Sequence, residues 1–578
     1  MRKIWIFFCI GICTIKLNAQ SITAGLNAVE SSFQHKTYQF NPLKILWQSD
    51  SISNSHFILR SKIDQATAVN AECFKMVSNE KELSILLDFG KELNGSVSII
   101  SNNIKNNLPA RFRIRFGESV GEAMAEIDTI HNATNDHAIR DYQFLLPWKG
   151  KIEIGNTGFR FVRLDFLDKN SFCEILSIRA NLKIRDIEYK GTFACSDTLL
   201  NKIWDIGAYT VHLNMQDYLW DGIKRDRLVW SGDLYVENLT VNTVFGYNDI
   251  VPSSLDLIRD QTPLPEWMHG LSTSSMWWVQ NQYLWYSYHA DHNYLEKQRL
   301  YLTGLLKILL TKVGETGYST FEWGFIDWPS TKNNPAALSA TNALLLNTIE
   351  KGAYLLSVLN EDALAAKCFE TVELMRKKKP EIHNQKQEAA ILSLSGLADP
   401  ILMNEIIKKD STQNFSTFFG YFMLEAMAKV GDYNHAMEFI KQYWGKMIEL
   451  GATTFWEQFE LNWALNANKI SQMPEAGKID LHGTYGDFCY IKYRNSLCHG
   501  WASGPTPWLT QHVLGINVVK PGCKEITIKP HLGDLKWAMG TFPTPFGVIH
   551  IKHERLKNNE IKTTCKAPKG IKVKVIND

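Results

Sequence analysis

The spacing of hydrophobic residues changes twice along this chain of 578 residues, and each change restricts the fold. From about residue 22 to 188, runs such as 83–89 and 159–166 alternate apolar with polar residues or are β-branched and aromatic. A period of two predicts half-buried strands, and glycine and asparagine residues separate the runs as turns would. We therefore predict an N-terminal β-sandwich domain over residues 21–188.

From about residue 196 the apolar residues recur with the period of a helix. Ser196 and Asp197 are suited to begin a helix, and Leu200, Ile203 and Trp204 follow on one face. The clearest later stretches are 294–313, 336–359, 362–377, 415–430 and 434–447. About a dozen helices without a fixed repeat period favour a ring of helix pairs over an open solenoid. We predict an (α/α) toroid over residues 189–514.

After about residue 515 the pattern returns to short strands separated by prolines. So short a segment cannot bury a large core by itself. We predict a small C-terminal β-sandwich domain, residues 515–578, that packs against the helices.

The first residues have the features of a secretory signal peptide. Arg2 and Lys3 precede an apolar run, and Ala19 is the small residue expected before a cleavage site. The run is too short to span a bilayer, and no later stretch is predicted to be transmembrane. We predict a signal peptide over residues 1–20 and an exported protein, in the periplasm, at the cell surface or extracellular.

Composition excludes several classes of function. The net charge of +2 provides no general attraction to nucleic acid or to an anionic membrane. The eight cysteines after the signal peptide form no C-x-x-C pair, so we expect mostly buried free thiols, although one or two bridges stay open. Glycine-rich phosphate loops, H-E-x-x-H, G-x-S-x-G and calcium loops are absent from the sequence. We expect no cofactor and no metal.

Residues 221–233 hold three aspartates, two arginines, a lysine and a tryptophan. Burying unpaired carboxylates is costly, so this density indicates either a salt-bridge network or a polar pocket. The chain is also rich in aromatic residues, at 12% with 18 Trp, and their flat faces suit the C–H faces of sugar rings. Carboxylates among aromatic side chains and arginines are what a sugar-cleaving pocket requires.

A second acidic segment favours the pocket. Glu457 lies between Trp456 and Phe459. Considered alone, it is typical of a glutamate at the start of a helix. Together with Asp226 it supplies the two carboxyl groups that most glycosidases use. His499, in a turn with glycine and tryptophan, could donate to a sugar hydroxyl or be structural. Trp328 could stack on a sugar, and one or two aromatics of the cluster 277–288 could reach the pocket.

These segments together resemble the glycoside hydrolase family 78 α-L-rhamnosidases over most of the chain after the signal peptide. The N-terminal similarity lies in Asp88-Phe-Gly90, Arg115-Phe-Gly-Glu118 and Gly158-Phe-Arg-Phe-Val-Arg163. The similarity of the catalytic part lies in Asp221, Arg225-Asp226, Trp230, Asp233, Thr453-Thr-Phe-Trp-Glu457 and Cys498-His-Gly-Trp501.

The resemblance implies an (α/α)6 barrel and inverting hydrolysis of a terminal α-L-rhamnose, with a carbohydrate as the partner. It implies Asp226 as general acid and Glu457 as general base. The residues that would hold the sugar are Asp221, Arg225, Trp230, Asp233, Trp328 and His499. Many members of the family have glutamate at the position of Asp226, so Glu237 is the alternative acid. Hydrolysis of another deoxy or modified sugar, or glycan binding without catalysis, are the alternative functions.

Overall fold

The structure is a computed structural model that describes residues 35–68, 72–488 and 490–576. The predicted signal peptide lies outside the described residues. Within those ranges, none of the helices combines the length and the apolar character needed to cross a membrane.

The N-terminal region is an antiparallel sheet of nine strands. The strands are β1 (His35–Phe40), β2 (Lys44–Gln48), β3 (Ile52–Ser53), β4 (Phe74–Ser78), β5 (Leu83–Ile104), β6 (Ala110–Gly117), β7 (Asp141–Leu146), β8 (Lys151–Phe166) and β9 (Ser171–Arg185). They pair in the order β3-β4-β9-β5-β8-β6-β7, with β1 added to β9 and β2 added to β5.

The long strand β5 changes neighbours along its length. Up to Asp88 it pairs with β2, and from Gly95 it pairs with β9, after a register shift between Asp88 and Leu93. Such irregularities bend a strand, so the sheet encloses one apolar core rich in phenylalanine. The short helix α1 (Val120–Met124) follows β6 and is capped by Ser119, whose side chain accepts the N–H of Glu122.

The central region is helical. Its helices are α2 (Thr198–Asn214), α3 (Asp233–Val244), α4 (Ile250–Asp260), α5 (Ser272–His289), α6 (His292–Leu310), α7 (Asn334–Val358), α8 (Asp362–Lys377), α9 (Lys386–Ser395), α10 (Pro400–Lys408), α11 (Gly420–Lys429), α12 (Tyr433–Glu449), α13 (Leu481–Thr484) and α14 (Pro505–Trp508). The predicted start of α2 is confirmed, because the Asp197 carboxylate accepts the N–H groups of Leu199 and Leu200 at 2.9 and 3.3 Å.

The inner helices form a ring in which each helix packs against the next inner helix along the chain. Helix α3 packs on α5, α5 on α7, α7 on α9 and α9 on α11, while α14 contacts both α11 and α3 and closes the ring. Helix α11 begins at Gly420, five residues after the predicted start at residue 415. The residues just before the helix form hydrogen bonds to distant parts of the chain. The hydroxyl of Ser416 donates to the Asp327 carboxylate, and the hydroxyl of Thr417 donates to the carbonyl of Glu457.

The C-terminal region is a small pair of sheets. Its strands are β10 (Thr192–Cys195), β11 (Ile516–Lys520), β12 (Glu525–Ile528), β13 (Trp537–Thr544), β14 (Gly547–Arg555), β15 (Ile561–Lys566) and β16 (Lys572–Val575). One sheet has the order β10-β13-β14-β15 and the other β11-β12-β16. Strand β10 precedes α2, so this sheet takes its edge strand from before the helical region.

The predicted fold class, β then helical ring then β, is confirmed. The C-terminal sheets share one apolar core with the helices, as their small size requires; Ile526, Phe542 and Ile549 are buried in it. Among the described residues, seven cysteines are free thiols, and five of them are buried.

Candidate active site

The predicted acidic segments lie side by side at one end of the helical ring. The N–H of Gly500 donates to the carbonyl of Asp221 at 2.7 Å, and the N–H of His499 donates to the carbonyl of Phe455 at 2.9 Å. Backbone hydrogen bonds therefore join three segments of the chain, around residues 221, 455 and 500, and the first and last are more than two hundred residues apart. Glu457, two residues after Phe455, is brought to the same wall.

These segments line a cavity of about 320 Å³. That volume is at the lower end for small-ligand sites and suits a single sugar ring. The predicted site residues that line it are Asp221, Asp226, Trp230, Asp233, Trp328, Glu457 and His499. The two carboxyl groups predicted to be catalytic thus face one cavity.

Glu457 is held rigidly in a largely apolar wall. Its Oε2 accepts the N–H of Ser496 at 3.0 Å, and its carbonyl accepts from the hydroxyl of Thr417 and the indole N–H of Trp501 at 2.5 and 2.9 Å. Burial raises the pKa of Glu457 to about 6, although nearby His499 acts in the opposite direction. The carboxyl group is therefore ionised at neutral pH and a stronger base than an ordinary glutamate.

Asp226 lies at a less buried edge of the cavity. Its Oδ1 accepts a hydrogen bond from the hydroxyl of Tyr490 and lies 3.1 Å from Nδ1 of His137. The described residues provide no hydrogen-bond partner for Oδ2. That oxygen is therefore the one available to a ligand in the cavity.

Asp221, Asp233 and His499 form a buried polar group beside the two catalytic candidates. His499 Nε2 lies 3.0 Å from Asp233 Oδ1, and Asp221 Oδ1 accepts the N–H of Leu228 at 3.0 Å. Burial and the neighbouring carboxylates of Asp233 and Asp226 raise the pKa of Asp221 well above its usual range. A neutral Asp221 can donate as well as accept hydrogen bonds, which suits a sugar hydroxyl.

The pKa of His499 is raised. Burial alone lowers it, but the hydrogen bond that His499 donates to Asp233 and the charges of Glu457 and Asp233 outweigh burial. The pKa of Asp233 is also raised, because its burial outweighs the contact with His499. His499 and Asp233 thus form a buried, hydrogen-bonded pair in the cavity wall.

Aromatic side chains form most of the remaining wall. They are Trp230, Trp277, Trp323, Phe325, Trp328, Phe418 and Trp501. Phe418 and Trp501 stack with ring centroids 5.2 Å apart and planes at 10°. The indole N–H of Trp230 is buried without a hydrogen-bond partner in the described part of the chain, and Trp230 is available to the cavity through its ring. Of the aromatic cluster 277–288, Trp277 alone is among the residues that line the cavity.

Two predicted residues lie behind the cavity. Arg225 does not line it, because its guanidinium group bonds to Asp136 at 2.5 Å and to the carbonyl of Arg494 at 2.7 Å. This pairing orients the loop that carries Asp226, and the expected contact of Arg225 with the sugar stays a prediction. Glu237, the alternative acid, is 1% exposed and packs against Gly500. It is not among the lining residues, which favours Asp226 as the acid.

Tyr490 and His137 belong to the site but were not predicted. Tyr490 lies in an unpatterned loop, and His137 lies in the N-terminal region between α1 and β7. Neither stands in a motif, and no sequence signal connects residue 137 with residue 226. Phe418, Thr273 and Ser274 were also missed, because each lies next to apolar residues of an ordinary helix or turn.

A cluster of possible metal ligands lies outside the cavity lining, and the side chain of Lys224 lies against it. Glu118, Glu122 and His482 are buried, with ligand atoms within 4.8 Å of one another. The ammonium group of Lys224 lies 2.7 Å from Glu118 and 3.2 Å from Glu122. It also donates to the carbonyl of Tyr493 at 3.0 Å. The lysine therefore occupies the position that a metal ion would take.

Two family models match the chain. Residues 188–396 match the bacterial alpha-L-rhamnosidase 6 hairpin glycosidase domain, and residues 515–577 match the bacterial alpha-L-rhamnosidase C-terminal domain. A protein of Formosa agariphila described as an alpha-L-rhamnosidase is 26% identical over 218 residues, which cover 33% of this chain and 22% of that protein.

Solved structures share the fold. A GH78 family rhamnosidase of Bacillus sp. GL1 superposes with a TM-score of 0.74 at 19% identity, covering 90% of this chain and 55% of that one. A rhamnosidase from Klebsiella oxytoca with rhamnose bound gives 0.65 at 18% identity, covering 83% of this chain and 96% of that one. This chain thus spans about a fifth of the Formosa protein and little more than half of the Bacillus protein.

Proposed function

We propose that this chain, which belongs to the glycoside hydrolase family 78 α-L-rhamnosidases, hydrolyses terminal α-L-rhamnose from glycosides, with inversion at the anomeric carbon. The observation that carries the proposal is that Asp226 and Glu457 line one small cavity with aromatic walls. A cavity of about 320 Å³ holds one terminal sugar, which favours exo action. Two carboxyl groups directed into it favour hydrolysis over binding alone.

In the proposed reaction, Asp226 in its protonated form transfers its proton from Oδ2 to the glycosidic oxygen as the bond to the anomeric carbon breaks. A water molecule attacks the opposite face of that carbon, and ionised Glu457 accepts the proton that the water loses. One proton leaves Asp226 and one reaches Glu457, so exchange with solvent restores the enzyme. Inversion requires the two carboxyl groups to lie about 6.5–9.5 Å apart, which leaves space for the water.

The remaining residues bind the sugar in this proposal. Asp221 and the His499–Asp233 pair contact hydroxyl groups, Trp230 packs against the sugar, and Trp328 stacks on the ring. Removal of water from the glycosidic bond by the aromatic wall strengthens the electrostatic effect of both carboxyl groups. The basic, apolar leader over residues 1–20 supports export of the protein to the periplasm or the cell surface.

Replacement of each carboxyl group tests the assignment. We expect Glu457→Gln and Asp226→Asn each to lower kcat for an α-L-rhamnoside by roughly 10²–10⁴-fold, the usual contribution of a general acid or base. Glu460→Gln is the matched control, since Glu460 lies three residues from Glu457 and is not among the lining residues. Near-normal turnover by either active-site variant would contradict its role.

The stereochemical outcome and the sugar specificity require separate measurements. NMR of the sugar first released should show the β anomer; release of the α anomer would show retention. A panel of aryl glycosides, with α-L-rhamnose and other 6-deoxy sugars, distinguishes the proposed substrate from a modified sugar. Sugar binding with no release of aglycone from any of them would favour a glycan-binding protein.

A further inference from the structure

The loop that carries Asp226 has an unusual backbone. Asp226 and Arg227 are consecutive residues with φ angles of 51° and 58°. L-residues rarely adopt this left-handed conformation, and a pair of them persists only where the surroundings hold the loop in place. The position of the proposed general acid therefore depends on the groups that contact this loop.

Those groups come largely from the N-terminal sheet region. Nδ1 of His137 accepts the backbone N–H of Asp226 at 2.7 Å. The guanidinium group of Arg227 donates to the carbonyl and the side chain of Asn156, at 2.8 and 3.0 Å. Asp136 pairs with Arg225 at 2.5 Å. Each of the three consecutive residues 225–227 thus has a partner outside the helical ring.

The same loop is anchored in the core of the sheet. Ile223 is fully buried within the apolar cluster of the N-terminal strands. It lies so close to Gly158 that a Cβ atom there would be 2.7 Å from its Cγ1. The anchor fixes the loop three residues before Asp226, and the contact with His137 fixes Asp226 itself.

His137 acts here as a neutral acceptor. Because Nδ1 accepts the amide proton of Asp226, the ring proton of the neutral form is on Nε2, which lies 3.7 Å from Asp136 Oδ2. Burial lowers the pKa of His137 and, with Arg225 and Arg494, outweighs the opposite effect of Asp136 and Asp226. Nδ1 therefore keeps its lone pair for the Asp226 amide at neutral pH.

The arrangement also orients the carboxyl group. The hydroxyl of Tyr490 donates to Oδ1, while Nδ1 of His137 accepts the backbone N–H of the same residue. The hydrogen bond from Tyr490 to Oδ1 leaves Oδ2 without a hydrogen-bond partner among the described residues.

We propose that His137, supplied by the N-terminal region, is a positioning residue that directs Oδ2 of Asp226 towards the glycosidic oxygen. The proposal rests on the proposed function, in which Asp226 is the general acid. It makes the N-terminal region part of the catalytic apparatus, although His137 itself does not line the cavity.

The dependence of kcat on the leaving group tests this role. A phenol of low pKa departs as its anion and needs little protonation by a general acid. The probes are 2,4-dinitrophenyl and phenyl α-L-rhamnoside, assayed with the full chain. We expect His137→Leu to lower kcat for the phenyl substrate by about 10²-fold and for the dinitrophenyl substrate by only a few fold. His137→Asn, whose Oδ1 can accept the same N–H, should recover much of the loss. His131→Leu, at an exposed histidine of the same loop region, is the control.

The outcomes separate the two proposals. If Asp226→Asn shows no preference for the better leaving group, the acid assignment itself fails. The positioning role is wrong if Asp226→Asn shows that preference but His137→Leu lowers kcat equally for both substrates. It is also wrong if His137→Leu leaves kcat unchanged for both. Thermal unfolding of each variant identifies a general loss of folding, and in that case His137→Asn, which keeps the acceptor, decides the question through the same substrate ratio.

Discussion

Glu457 shows how a single side chain acquires its chemistry from its surroundings. It is 6% exposed, and its carboxylate accepts one backbone N–H, from Ser496. A carboxylate in water would be fully hydrated, so the loss of water outweighs this one hydrogen bond and raises the pKa of Glu457 to about 6. The result is a base matched to neutral pH.

The pH dependence of activity follows from that value. Glu457 must be ionised to accept a proton, so kcat/KM should fall tenfold per pH unit below about pH 6 and be independent of this group above it. An ordinary glutamate would place the fall more than one unit lower, near its unperturbed pKa of about 4.3. The measurement is kcat/KM on an aryl α-L-rhamnoside from pH 4 to 8, with folding checked at each pH. Constant activity down to pH 4.5 would contradict the role of Glu457 as base.

At the scale of elements, the site depends on the close approach of the 496–501 segment to helix α3. Gly500 donates its N–H to Asp221 and lies against the side chain of Glu237. An ideal Cβ at Gly500 would be 1.8 Å from Oε1 of Glu237, which is buried and cannot move freely. The absence of a side chain at position 500 therefore allows the backbone contact that joins the segments.

Gly500→Ala tests this packing. We expect a loss of about 1–3 kcal/mol in the free energy of unfolding, typical of overpacking a core, together with reduced kcat/KM. The control is the same substitution in a Glu237→Ala background, where the clash is absent and the additional cost should be smaller. Equal costs in the two backgrounds, measured by urea unfolding, would show that the contact with Glu237 is not the cause.

At the scale of the whole molecule, a buried ion cluster joins the N-terminal and helical regions. Lys224 lies in the loop that carries Asp226, while Glu118 and Glu122 belong to the sheet region and its short helix α1. Burial raises the pKa of Glu118 against the effect of Lys224, whereas Lys224, His482 and Arg140 lower that of Glu122 despite burial. Lys224 thus pairs with two buried carboxyl groups across the interface.

Lys224→Met should destabilise this interface strongly. It leaves two buried carboxyl groups without their cation, which costs about 3–5 kcal/mol for a broken buried pair. Adding Glu118→Gln should recover part of the loss, because one uncompensated charge is removed. Lys520→Met, at an exposed pair with Glu525, should leave stability unchanged. Thermal and urea unfolding measure all three, and an unchanged Lys224→Met variant would contradict the role of the cluster.

Much of the architecture could be predicted from local patterns. The period of the apolar residues predicted the sheet, the helices and the final strands, because that period depends only on which face of an element is buried. Helix α8 was predicted at its observed bounds, Asp362–Lys377. The start of α11 was not, since the hydroxyls of Ser416 and Thr417 bond to groups that are distant in sequence. The residues of the motif 221–233 were likewise found by their unusual chemistry.

What the sequence by itself determined was the set of chemical groups: the two carboxyl groups, the aromatic residues and the histidine that line the cavity. The tertiary structure alone decided which of them meet and in what state. It turned Arg225 away from the cavity, buried Glu237 behind it, and brought His137 and Tyr490 to Asp226. These contacts join parts of the chain between 89 and 264 residues apart. The physical reason is that burial, desolvation and hydrogen bonding across such separations depend on the packed fold, and local sequence patterns do not record them.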